Sequence, residues 1–236
     1  YLRVGFGSLM SPYAEFFAAK PNSKRTAFGV HFRHFSTLSD IKDYSKSTTS
    51  ENQLSIFGKH TGEVLAWNAD AAFRRNMLHY YGFQPGLLAD SLIPPTDSTR
   101  QVYTQLKFQA GLRNASGNRS DVNYGANFRG GWYGNRFHSH ELNAGFDAWI
   151  NYQTDALSTR KNDHLGLNLA LDYWDNSFKN LPSGSAALFS LKPYFHTEIE
   201  EYEILLGLNT SIAYDSTGTR VYLFPDIKGG LTIIKE

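Results

Sequence analysis

Alternation of apolar and polar residues with a period of two, sustained over segments of about 13 residues, constrains this chain more than any other feature of its sequence. In residues 63–80 the odd positions Leu65, Trp67, Ala69, Ala71 and Phe73 form one face, while Asn68, Asp70, Arg74 and Asn76 form the other. In residues 101–113, Val102, Leu106, Phe108, Ala110 and Leu112 oppose Gln101, Gln105, Lys107, Gln109 and Arg113. Successive side chains of a strand point to opposite sides, so each segment reads as a strand with one apolar and one wet face.

The same division recurs further on. Val122, Tyr124, Ala126, Phe128 and Trp132 oppose Asp121, Asn123, Asn127 and Arg129, with Gly125 and Gly131 at the remaining polar-face positions. Leu142, Ala144, Phe146, Ala148 and Ile150 oppose Glu141, Asn143, Asp147, Asn151 and Gln153. Leu165, Leu167, Leu169 and Leu171 face away from Asn168, Asp172 and Trp174, and Tyr202, Ile204, Leu206, Leu208, Ile212 and Tyr214 from Glu203, Asn209, Ser211 and Asp215. Less regular strands are expected at 1–9, 13–20, 25–35, 53–60, 185–196 and 219–234. That makes about a dozen, each near the length with which a tilted strand crosses a bilayer.

Which solvent does the apolar face meet? Soluble sheets also alternate, but their strands are usually about five or six residues long and their wet face is rich in Lys and Glu. Here the polar face mixes Asn, Gln, Asp, Arg and Gly, as a water-filled lumen would. Mean hydropathy is −0.41, which describes a soluble protein. A barrel strand, however, is apolar on one side only, so the average is uninformative. The 17 Phe, 14 Tyr and 4 Trp exceed the needs of one core and suit interfacial girdles. No run approaches the roughly 18 apolar residues of a membrane helix, which leaves a closed barrel as the way across a membrane. The expected fold is therefore all-β: an antiparallel transmembrane barrel of about twelve or more strands in one domain over 1–236, with no plug domain visible. Both ends, strand-like Tyr1-Leu2-Arg3 and Thr232-Ile233-Ile234, read as cuts through a longer protein.

Connections point the same way. Pro21-Asn22-Ser23-Lys24, His60-Thr61-Gly62-Glu63 and Ser116-Gly117-Asn118-Arg119 read as tight turns. Between them lie a polar stretch, 36–52, and a Pro-rich one, 84–98. Short turns at one rim and long loops at the other are the pattern of an outer-membrane barrel. After Trp132 the connections become similar in length.

Four words in the sequence carry a resemblance: Tyr1-Leu2-Arg3-Val4-Gly5-Phe6-Gly7-Ser8 with Ser11-Pro12, His79-Tyr80-Tyr81-Gly82-Phe83, Leu191-Lys192-Pro193-Tyr194-Phe195 and Leu223-Phe224-Pro225-Asp226-Ile227. Together they resemble strand segments of TonB-dependent-receptor-like outer-membrane proteins of the Bacteroidetes. The resemblance implies a bacterial outer-membrane location and contact with lipid and lipopolysaccharide. It also implies passage or uptake of a small solute, with or without TonB or other envelope proteins as partners.

Composition excludes several chemistries. The absence of Cys removes disulfides, thiolate metal sites and cysteine nucleophiles. A formal net charge of +1 shows no global attraction for nucleic acid. His138 and His140 share a face by strand alternation, whereas His31 and His34 do not. Neither pair has a third ligand, so no metal site and no cofactor is expected. Asp43, His79 and Ser91 have the residue types of a hydrolytic triad but no motif that fixes their geometry, and no enzyme is expected. Paired aromatics at Tyr80-Tyr81, Trp132-Tyr133 and Tyr173-Trp174 read as girdle residues near strand ends.

The functional candidates are the charges expected to face the lumen: Asp70, Arg74, Lys107, Arg113, Arg129, Glu141, Asp147, Asp172 and Glu203. In an aqueous channel they would set the field felt by a passing solute. The competing reading is that they pair across strands and stiffen the wall. A porin-like or receptor-like barrel for solute passage is thus expected, and its rival is a non-conducting structural or assembly subunit of an outer-membrane complex.

Overall fold

The computed structural model describes residues 1–20, 25–80, 82–89, 92–115, 121–154, 163–179, 181–199 and 202–231. Twelve strands follow one another: β1 (Leu2–Gly7), β2 (Ser11–Lys20), β3 (Thr26–Thr37), β4 (Thr49–Thr61), β5 (Leu65–His79), β6 (Arg100–Asn114), β7 (Val122–Asn135), β8 (His140–Thr154), β9 (Asp163–Ser177), β10 (Gly184–Ile199), β11 (Tyr202–Asp215) and β12 (Gly218–Leu231). All belong to one antiparallel sheet in which each strand pairs with its neighbours in sequence. The sheet is open, with β1 and β12 as its edges.

Register is continuous over the central strands. Asp70 pairs with Gln109, Gln109 with Arg129, Arg129 with Gly145 and Gly145 with Asp172. Partners across a ladder share a face, so such rows carry the two-face division from strand to strand. The segments with the clearest alternation are β5 to β9 and β11. The less regular strands also form, and β3 and β4 extend to Thr37 and back to Thr49. The polar stretch between them is thereby shortened to residues 38–48.

A folded soluble domain stacks two layers so that apolar faces cover one another. The described residues form no such second layer. Among the described residues the buried hydrophobic side chains are Ala66 and Ala115, while Leu54, Phe108, Phe128, Phe146, Leu171 and Leu206 in mid-strand are all exposed. A soluble β-sandwich is set aside on this ground, for the described residues form one sheet, with no second sheet and no core between sheets among them. No helix among the described residues is long and apolar enough to cross a membrane.

Connections after odd-numbered strands lie at one end of an antiparallel meander, and those after even-numbered strands at the other. The first end carries the two long ones, 38–48 and the segment between His79 and Arg100, which holds a 3-10 turn (Pro85–Leu87) and a short α1 (Thr96–Thr99). Backbone hydrogen bonds stitch this end together: Leu38 and Ser39 donate to Met10 and Leu9, and Ser45 donates to Phe83. The expected turn at 60–63 falls between Thr61 and Leu65. The turns expected at 21–24 and 116–119 lie outside the described residues. In the second half the first end carries short links, at 136–139 and 216–217, so the early asymmetry fades as the sequence suggests.

Candidate functional site: the polar face of the sheet

The two faces of the sheet obey opposite rules. On the apolar face the charged residues of the described strands are Lys20, Arg75, Arg100, Asp163 and Asp175, each in the first or last third of its strand. The middle of that face is mostly Leu, Ile, Phe and Ala and carries no charged residue among the described strands. Its Trp and Tyr residues are Trp67, Tyr124, Tyr152 and Tyr202 toward one end and Trp132, Tyr173 and Tyr214 toward the other. Amphipathic rings at both ends of an uncharged band fit the two edges of a hydrocarbon layer.

The paired aromatics require a correction. Adjacent strand residues point to opposite sides, so Trp132 and Tyr173 join the apolar face while Tyr133 and Trp174 project from the polar one. Only one ring of each pair can sit in a girdle. Tyr80 follows the end of β5, and Tyr81 lies outside the described residues.

All nine charged candidates project from the polar face, as their registers require. Most are engaged. The guanidinium of Arg129 donates to the carboxylates of both Asp147 and Asp172. It reaches β9 from β7 because Gly145 stands between them: a Cβ there would lie 2.5 Å from Arg129 Nε and 2.8 Å from Asp172 Oδ1. Arg74 donates to Glu51 at 2.9 Å, and Arg33 donates to the same carboxylate oxygen at 2.7 Å. Gln109 donates to Asp70 at 2.6 Å, and His196 meets Glu203 at 3.0 Å. Among the described residues Glu141 accepts a single, long 3.5 Å contact, from Asn143. Lys107 and Arg113 have no ion pair or side-chain hydrogen bond among the described residues.

Further polar clusters were not anticipated from the sequence. Glu15 accepts from Tyr1, Tyr13 and Arg3 and meets His31 at 2.9 Å. Lys192 pairs with Asp226 across β10 to β12. Glu51 and Glu15 were legible in principle, because they continue the polar parity of β4 and β2 through Gln53 and Tyr13. The bulky rings of Phe57, Trp149 and Tyr194 break that parity by lying on the polar face. Each covers a cross-strand glycine: Phe57 over Gly29, Trp149 over Gly125 and Tyr194 over Gly166, with ring atoms 2.1–2.8 Å from where a Cβ would stand.

The histidine and triad readings meet the geometry as follows. His138 lies in the β7–β8 turn with φ 61, so strand alternation does not align it with His140. His31 and His34 fall on opposite faces, as expected. His79 is buried and its Nδ1 lies 3.2 Å from Thr48 Oγ1 and 3.1 Å from the Thr48 carbonyl. Asp43 occupies a left-handed position, φ 64, and Ser91 lies outside the described residues.

At the rim, Arg136 donates to the Asp97 carboxylate and, at 2.6 Å, to the Asp97 carbonyl. This ties the long β5–β6 connection to the β7–β8 turn. The Arg136 hydrogen bond holds the Asp97 carboxyl below the usual carboxylate range. No protein-family model matches this chain, and no curated protein matches it.

Proposed function

We propose that this chain forms wall of a bacterial outer-membrane β-barrel through which a small solute passes, its apolar face against lipid and its polar face lining an aqueous lumen. One observation carries the reading. A single-layer sheet exposes a charge-free apolar band along the middle of one face and places most strand charges on the other. Water on the apolar face would forfeit the free energy that burial supplies to a folded protein, roughly 25 cal/mol per Å² of apolar surface. Lipid recovers it, while every strand in a closed barrel also satisfies its backbone groups.

The resemblance to TonB-dependent-receptor-like proteins of the Bacteroidetes accords with this reading and implies TonB or another envelope protein as partner. Single-channel conductance of the detergent-purified protein in a planar bilayer tests the proposal. Stable unitary steps are expected, and charge reversal at Arg74 or Lys107 should change their ion selectivity.

A second reading has its own observation. Arg74 and Arg129 are held in ion pairs with partners on other strands, and Glu203 is hydrogen-bonded to His196 across a turn, which suits a wall built for stiffness. A protein that inserts but never conducts would favour a structural or assembly subunit and overturn solute passage.

A further inference from the structure

Where most charges on the polar face are neutralised in place, one hollow is not. It lies over Gly131 of β7, with a volume of about 250 Å³, and is walled by Gln105 and Lys107 from β6, Tyr133 from β7, and Glu141 and Asn143 from β8. Gly131 sets its floor, since a Cβ there would come within 2.8 Å of Asn143 Oδ1. Tyr133 is braced from behind by Tyr103, the rings stacked at 5.9 Å between centroids and 19° between planes.

Lys107 and Glu141 enter this hollow from opposite sides. Lys107 pairs in register with Gly131, and Gly131 with Asn143; Glu141 stands one pleat further along β8. Two strand spacings of about 4.8 Å each separate their strands. They are not in ion-pair contact with each other, and among the described residues neither has an ion-pair partner. The cations nearby are already taken, Arg74 by Glu51 and Arg129 by Asp147 and Asp172. An ammonium and a carboxylate therefore face one polar hollow with a gap between them.

We infer that this hollow binds a small zwitterion, a free amino acid or short peptide, whose carboxylate meets Lys107 and whose ammonium meets Glu141. A simple anion or cation would leave one of the two charges uncompensated in a partly enclosed site, and a neutral polyol would leave both. A zwitterion satisfies both at once. Gln105 and Asn143 supply amides for the ligand's polar backbone, and the face of Tyr133 offers the ammonium a cation–π contact. The inference deepens the reading of the polar face as a wet lumen, and it names the class of solute.

The test is calorimetric titration of the whole chain in detergent with glycylglycine, beside N-acetylglycine, which lacks the ammonium, and glycinamide, which lacks the carboxylate. Saturable binding of glycylglycine is expected, at least about tenfold tighter than either control, a ratio worth about 1.4 kcal/mol. Lys107→Gln and Glu141→Gln should each erase that advantage. The reciprocal double variant Lys107→Glu/Glu141→Lys should restore it, because the zwitterion can reverse its direction. Far-UV circular dichroism confirms that each variant keeps its sheet. Equal binding of the three probes, no binding by the folded protein, or failure of the folded double variant to recover would each overturn the inference. Because the readout is binding and not current, a protein that binds glycylglycine without conducting would sink solute passage and leave this site standing. One that conducts without binding would do the reverse.

Discussion

The two faces of this sheet are built from the same backbone and the same strands, yet they tolerate opposite kinds of side chain. On the apolar face, Phe128 and Leu171 stand exposed beside equally apolar neighbours. One residue away on the polar face, Asn127 and Asp172 sit among amides and guanidinium groups. The difference teaches that, on the proposed reading, stability comes from matching each face to its own solvent, because the described residues form no core between layers.

The sharpest way to break the comparison is to place a charge on each face at the same level. Phe128→Arg should weaken folding into lipid vesicles by about 2–4 kcal/mol, the cost of a cation near the bilayer midplane. Asn127→Arg, on the neighbouring residue but the other face, should cost far less. Equilibrium refolding into vesicles reads both, and similar losses would mean that the faces are not differently solvated.

A second probe asks whether the polar face is packed or merely wetted. The Tyr194 ring covers Gly166 so closely that a Cβ would lie 2.1 Å from its Cζ. Gly166→Val should therefore displace the ring and cost about 1–3 kcal/mol, the range for overpacking. Restoration of stability in Gly166→Val/Tyr194→Ala would identify the ring as the obstacle, and a loss unchanged by that second substitution would refute the packing account.

Smaller effects are expected from the ion pairs. Removing Arg129 leaves Asp147 and Asp172, on the adjacent strands β8 and β9, without their shared cation. Because the guanidinium is 46% exposed, solvent screening limits the loss in Arg129→Ala to about 1 kcal/mol or less. The loss should shrink further in high salt, and refolding titrations at two ionic strengths measure it.

The smallest effect belongs to the rim and should register only locally. Arg136 favours the charged form of Asp97, so its folded pKa lies below the unfolded value. The tie is then fully present above the unfolded pKa and is lost as pH falls through the lowered, folded one. Hydrogen-exchange protection in residues 92–99, measured against the intrinsic rate at each pH, should fall in acid, and Asp97→Asn should show the lower protection already at neutral pH. Protection that does not change with pH in the unaltered protein would remove Asp97 from this role.

How much of this was legible beforehand differs between architecture and site. The strands β5 to β9 and β11 could be read directly, because alternation is local and each residue declares its own face. Thr37 and Thr49 were missed as strand ends, since a polar residue near a rim looks the same in a strand and in a loop. The nine charged candidates share one face of the sheet, which strand parity alone implies. Their partners are less accessible: Glu51, which holds Arg74, comes from an irregular strand, and within each aromatic pair parity sends the two rings to opposite faces.

The sequence by itself therefore determined that the chain makes about twelve long strands with one apolar and one polar face. It did so because a period of two needs only neighbouring residues to be recognised. Tertiary structure alone decided which residues meet across strands. Arg129 reaches Asp172 over Gly145, and Lys107 faces Glu141 over Gly131, only because of a register set by the lengths of the intervening turns. A shift of one residue in any pairing would move every side chain of that strand to the other face. The same local pattern would then build no hollow and no charge bridge, and that dependence is why the site had to come from the fold.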